Sequence, residues 1–299
     1  MPPRTELPNT FSRRTRDSLR RLAGLARVNG RPAPLDPIPG QVPGKPQDQI
    51  RLLTLNLAHG RRRGPHQVLQ AEPRLRRNVR QVAIALAEAN PDVVALQEAD
   101  GPSAWSGNFD HVATLAQMLE MPHHFRGDHN HLGVGRFHLR TGTALMSRHP
   151  LAQPSSHRFG ENWRDTKGFV LATVTVPEWG NEGIDFVSVH LDFLAPRVRR
   201  RQVEQLTDTL KARHRPLVLL GDFNCNWEVD PRTMEQLTAE LDLQTHEAEH
   251  HFPTYPAIAP FHRIDWILIS KELEFGAAHF TLPDKVSDHL AVVADLGLR

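Results

Sequence analysis

An α/β protein rich in strands is the fold class this sequence predicts, on three observations. Short apolar or alternating runs recur along most of the chain, segments with helical spacing lie between several of them, and the first three elements read in the order strand, helix, strand. "IRLLTLNL" (Ile50 to Leu57) is strand-like. "PRLRRNVRQVAIALAEAN" then puts Leu75, Val79, Val82 and Leu86 at helical spacing, and "PDVVALQE" is an apolar run suited to a buried strand that ends in Glu98. Further strands are predicted at Gly142 to Ser147, Gly168 to Val176, Ile184 to Leu191, Pro216 to Leu220, Ile264 to Ser270 and His289 to Leu298. Further helices are predicted at Phe109 to Leu119, Val198 to Leu210 and Met234 to Leu241. No internal repeat is visible.

The 299 residues, 39% of them hydrophobic, suffice for a sizeable core. No stretch approaches the roughly 18 uninterrupted apolar residues of a membrane helix, and the N-terminus lacks the apolar segment of a secretory signal, so a cytoplasmic location is expected. Cys225 is the single cysteine, which excludes an internal disulfide and a multi-thiolate metal site. Residues 1–49 hold nine Lys or Arg against four Asp or Glu, so the overall charge of +2 conceals a slightly acidic body. Such a body argues against a surface that coats nucleic acid broadly, although local basic patches can guide a polyanion.

From Arg31 to Pro46 six prolines in sixteen residues read as an extended linker, which makes residues 1–48 an N-terminal extension and 49–299 the folded domain. Within the extension, Phe11, Leu19, Leu22, Leu25 and Ala26 share one arc of a basic amphipathic helix over residues 11–28. A helix that packs on its own domain, or a tail, is the preferred reading; peripheral contact with an anionic membrane is the alternative. No obligate protein partner is expected.

Apolar strands repeatedly end in the same kind of residue. Asn56 follows "LTL", Glu98 follows "VVALQ", His190 follows "FVSV", and Asp222 and Asn224 follow "LVLLG". Asp265 lies beside the apolar strand of "HRIDWILIS", and Asp288 and His289 open the run "SDHLAVVADL". Strand ends are where α/β folds assemble sites, and a carboxylate beside a core strand requires a partner or a cation. Singly, each has an ordinary structural explanation as a turn, a solvated strand end or a surface histidine. The complementary set is harder to explain that way.

The ordered motifs "LTLNLAHG", "VVALQEAD", "GTALMSRHP", "KGFVLATV", "VSVHLDF", "LLGDFN", "RIDWILIS" and "VSDHLAVVADL" resemble the endonuclease/exonuclease/phosphatase superfamily over about residues 50–298. The resemblance implies a four-layer sandwich of two mixed β-sheets flanked by helices, with the site at one edge. It also implies phosphoester hydrolysis with Glu98 as ligand of Mg²⁺ (or Mn²⁺), Asp288 as an additional ligand and Asn56 in the metal and phosphate shell. Side chains two apart in an extended segment point the same way, so Asp222 and Asn224 are expected to face one pocket while Phe223 enters the core. Asp222 would then deprotonate the attacking water, and the Asn224 amide would donate to the phosphate. Asp265 would favour the protonated form of His289, a cation for the scissile phosphate, and His190 would assist the leaving group or bind phosphate.

Arginines 61, 62 and 63 follow the first strand, and arginines 197, 199, 200 and 201 follow His190; each set is either a solvated face or a phosphate-facing cluster. Asp165 and Lys167 in "NWRDTKGFV" resemble the Lys-Gly element of neutral sphingomyelinases without reproducing its spacing, which would add Lys167 to the phosphate-binding groups. "HHFRGDHNH" (His123 to His131) reads as a polar surface loop rather than a zinc site. The expected function is a Mg²⁺-dependent phosphodiesterase on a phospholipid headgroup or small diester. A nuclease, a phosphomonoesterase and a noncatalytic phosphate-binding protein are the alternatives.

Overall fold

Two six-stranded sheets lie face to face, each covered on its outer side by a pair of helices. The structure is a computed structural model that describes residues 44–130, 133, 139–160, 167–180, 183–246 and 252–299. The amphipathic segment 11–28, most of the proline-rich linker, Asp165 and His131 fall outside the described residues.

The first sheet has the order β11-β12-β1-β2-β4-β3. These strands are Leu273–Thr281 (β11), Val292–Leu298 (β12), Ile50–Asn56 (β1), Val93–Asp100 (β2), Thr141–Ser147 (β4) and His123–Arg126 (β3). The second sheet runs β5-β6-β7-β8-β10-β9, comprising Leu151–Arg158, Gly168–Thr175, Gly183–His190, Leu217–Asp222, Asp265–Ser270 and Leu243–Thr245. Each sheet contains one parallel pair. Helix α1 (Glu72–Ala89) connects β1 to β2, and α3 (Pro196–Lys211) connects β7 to β8. Helices α2 (His111–Met118) and α4 (Pro231–Leu241) complete the outer layers.

Strand alternation explains why the central strands look apolar throughout. In β1, Leu53 and Leu55 face α1 while Ile50 and Leu52 face the other sheet; in β8, Leu217 and Leu219 face the helices while Val218 and Leu220 face inward. Helix α1 opens with Pro73 in its first turn, buries Leu75, Val79, Val82 and Leu86, and stops where Asn90 turns left-handed at φ 48°. Helix α2 starts at Asp110, whose carboxylate accepts from the Ala113 amide at 2.9 Å.

Register then assembles the edge. The parallel pairing aligns His190 with Asp222, the antiparallel pairing of β8 with β10 aligns Asp222 with Asp265, and β1 ends beside β2 with Asn56 opposite Gln97. β12 runs antiparallel to β1, which brings the segment before it, Ser287 to His289, to the same edge. The two sheets thus contribute strand ends to a single face of the sandwich.

Four strands lie where the sequence predicts none. β3, β5, β9 and β11 are all outermost or next to a sheet edge and are only partly buried, so they carry no apolar run. The expected polar loop at His123 therefore begins as edge strand β3. Further along it, His129 and Asn130 are buried rather than solvated.

Candidate active site

Asp222, at the end of β8, has its carboxylate directed by its neighbours. Asn56 Nδ2 donates to Oδ2 at 2.9 Å and the Asn224 backbone amide donates to Oδ1 at 2.9 Å. His190 Nε2 lies 3.4 Å and His289 Nε2 3.9 Å from the same carboxylate. Burial raises the Asp222 pKa to about 6, with the His289 cation opposing it and Asp265 adding to it.

His289 donates from Nδ1 to Asp265 Oδ2 at 2.9 Å, and the Tyr255 ring packs against its imidazole at a centroid distance of 4.8 Å. Burial opposes the imidazolium, but Asp265 and Asp222 together outweigh it and hold the pKa up at about 10. Asp222, Asp265 and His289 form the one compact group of metal-ligating side chains among the described residues. The imidazole fills the space between the two carboxylates, so this group is a carboxylate–imidazolium–carboxylate row rather than an open cage.

Across Asp222 lies His190, kept neutral by burial and by Lys167, whose Nζ donates to His190 Nε2 at 2.7 Å. Lys167 Nζ is also 3.7 Å from Glu98 Oε1, and His59 Nε2 is 3.4 Å from Glu98 Oε2. Burial alone would raise the Glu98 pKa; the cationic charge of His59 and Lys167 instead takes it below the usual carboxylate range. One line of contacts thus runs from Glu98 through Lys167, His190, Asp222 and His289 to Asp265.

Three of the expected site residues are engaged within the protein. Phe223 is buried as alternation requires, but Asn224 sits in a left-handed turn at φ 50°, and its side-chain amide donates to the Leu191 carbonyl at 3.0 Å. Both ends of the Asn56 amide are engaged, since Oδ1 accepts from the Ala58 amide at 3.0 Å. Asp288 pairs with Arg61. Of the arginines that follow His190, Arg199 is buried and bound to Asp230 and to the Asp192 carbonyl, which makes it a structural residue. Arg63, Arg197 and Arg201 are exposed.

A cavity of about 460 Å³ opens beside Glu98, Lys167 and His190, lined also by His59, Trp105, His129, Leu139 and Phe193. Trp105, Phe193, His59 and Asp100 were not legible as site residues. Trp105 stands singly in a loop without a motif, Phe193 closes the quoted motif "VSVHLDF" as an apolar residue that nothing in the pattern marks as a site residue, and His59 and Asp100 lie within quoted motifs but are brought inward by local backbone turns.

The endonuclease/exonuclease/phosphatase family model matches residues 53–289. The chain belongs to this family. It is accordingly an enzyme that hydrolyses phosphoric esters. Solved members with the same fold include an endonuclease/exonuclease/phosphatase from Beutenbergia cavernae DSM 12333, 22% identical, with a TM-score of 0.66 over 84% of this chain and 72% of that one. Sphingomyelinase C from Streptomyces griseocarneus is 19% identical, with a TM-score of 0.57 over 83% of this chain and 99% of the other. Humanized D. rerio TDP2 is 16% identical, with a TM-score of 0.57 over 84% and 100%. No curated protein matches the chain significantly in sequence. Among the described residues, no helix is long and apolar enough to cross a membrane.

Proposed function

We propose that the protein is a Mg²⁺-dependent phosphodiesterase that acts on a phospholipid headgroup or another small phosphodiester by in-line attack of a water on phosphorus. The setting of Asp222 carries this reading: a buried carboxylate, raised to about 6 and aimed by Asn56 and the Asn224 amide, lies beside an imidazolium and 3.4 Å from His190, which lines the cavity. Asp222 takes the proton of the attacking water. His289, held protonated by Asp265, presents positive charge to a nonbridging oxygen. Lys167, braced on neutral His190, supplies a second cation on the opposite side of Asp222.

The residues fit a divalent ion. Among the described residues the Glu98 carboxylate meets His59 Nε2 at 3.4 Å and Lys167 Nζ at 3.7 Å, and a quarter of its side chain remains accessible beside the cavity. An accessible carboxylate at a cavity wall is the kind of oxygen donor a hard cation takes. Glu98 would hold the ion, with the Asn56 carbonyl and, on release of Arg61, Asp288 as further donors. When bound, the ion supplies positive charge for the nonbridging oxygens. The apolar walls at Trp105, Leu139 and Phe193 support a small organic ester group as occupant of the cavity.

The exposed Arg74, Arg77 and Arg80 of α1 favour a second reading, a nuclease that tracks a phosphate backbone. A panel of sphingomyelin, bis(p-nitrophenyl) phosphate, p-nitrophenyl phosphate, inositol phosphates, plasmid DNA and RNA, each with Mg²⁺ or EDTA, separates the two. Turnover of sphingomyelin or the small diester in Mg²⁺ alone, lost in Asp222→Ala and His289→Ala, is expected. Turnover restricted to DNA or RNA would overturn the lipid and small-diester assignment. The location proposed with this reading is cytoplasmic, with residues 11–28 as the segment that would contact anionic lipid at a membrane surface.

A further inference from the structure

We propose that His59 and Asp100 form a positioning pair that holds the Glu98 carboxylate in its ion-binding orientation; the inference rests on Glu98 as the ion ligand. Glu98 is not aimed by its strand. Its backbone is left-handed at φ 49°, and the register between β2 and β4 shifts between Leu96 and Ala99, so the side chain leaves the pleat where alternation no longer directs it. Some other group must fix its direction.

His59 is that group. Its Nδ1 donates to Asp100 Oδ1 at 2.8 Å, which turns Nε2 toward Glu98 Oε2 at 3.4 Å. Asp100 is fully buried, and its second oxygen has no partner among the described residues. A buried carboxylate whose one side-chain hydrogen bond among the described residues is to His59 is costly unless orienting that ring is its purpose.

The backbone shows the same demand. Ala58, His59 and Gly60 run left-handed in succession, at φ 48°, 54° and 67°, a conformation that costs the two non-glycine residues about 1 kcal/mol each or more. The turn is held by Asn56 Oδ1 accepting from Ala58, and by amides of Gly60 and Arg61 donating to Leu57 and Ala58. At Gly60 a Cβ would lie 3.0 Å from the His111 ring, so the third residue is glycine for space as well as for φ. This strained turn sends the His59 ring back over Glu98 instead of outward.

Calorimetric titration of Mn²⁺ alone into metal-free wild type, His59→Asn and Asp100→Asn tests the pair, with kcat then measured at saturating Mn²⁺. Asparagine tolerates the left-handed backbone and keeps a donor for Asp100 but is too short to reach Glu98. Mn²⁺ affinity should fall by about 10- to 100-fold in His59→Asn, with a melting temperature near wild type and kcat largely restored by saturating ion. Unchanged Mn²⁺ affinity in folded His59→Asn, or a kcat loss that saturating ion does not restore, would overturn the pairing alone. A wild type that takes up no Mn²⁺ would overturn Glu98 as ion ligand and this inference with it.

Discussion

For Asp222 the proposed role as base and the stability of the fold make opposite demands. A carboxylate whose pKa rises to about 6 on folding binds more protons than its unfolded counterpart between its ordinary value and 6, so its ionised form destabilises the fold above that range. Asp222→Asn keeps the shape and removes the charge. Its kcat should fall by about 10² to 10⁴, while its melting temperature at pH 8 equals or exceeds that of wild type. A differential scanning experiment beside a steady-state assay reads both. His129 gives the opposite pH dependence. Burial, with Arg126, His157 and Lys167 around it and only Asp128 opposing, lowers its pKa to about 3, and its Nε2 rests on Thr143 Oγ1. Its neutral form therefore contributes stability that is complete above pH 6.5 and is lost as pH falls toward 3, at up to about 1.4 kcal/mol per pH unit. Urea unfolding of His129→Gln at pH 8 and pH 5 should show a smaller loss on acidification than wild type. The polar strand-end residues were legible because a carboxylate or imidazole after an apolar run departs from the run's pattern. His59 and Asp100 were not, because their inward placement depends on left-handed turns and a bulge, which single-residue preferences do not encode.

At the level of elements, β7 and β8 set the spacing of His190 and Asp222, and one glycine permits their close pairing. Gly221 has φ 152°, and a Cβ there would lie 2.0 Å from the Val189 carbonyl oxygen. Gly221→Ala should cost about 1–3 kcal/mol in urea unfolding and lower kcat through displacement of Asp222. A variant with wild-type stability and rate would show that the strands can separate without harm. Central strands and α1 were readable from periodicity because both faces of β1 and β8 meet apolar layers, and α1 buries one stripe. Edge strands were not. β5 has most of its residues at least partly exposed, with a register shift between Ala152 and Ser155, so its sequence retains neither alternation nor an apolar run. Strand alternation also explains where the expected placement of Asn224 departs from the structure: β8 ends at Asp222, so the two-residue rule reaches Phe223 and no further.

For the molecule as a whole, the site needs both sheets, since Asn56 and Glu98 come from one and His190, Asp222 and Asp265 from the other. Separation of the sheets would break the Asn56–Asp222 hydrogen bond and unseat the carboxylate. Residues 1–43 contribute none of these groups, so deletion of them should leave turnover of soluble diesters at the wild-type rate; any requirement for the extension on lipid would emerge only with anionic vesicles. The most direct measurement is p-nitrophenolate release from bis(p-nitrophenyl) phosphate by metal-free protein before and after addition of Mg²⁺, with Asp222→Asn beside it. Release that begins with the ion in wild type and stays at least about a hundredfold slower in the folded variant is the predicted result. Equal rates in the two proteins, or full release without a divalent ion, would contradict the account.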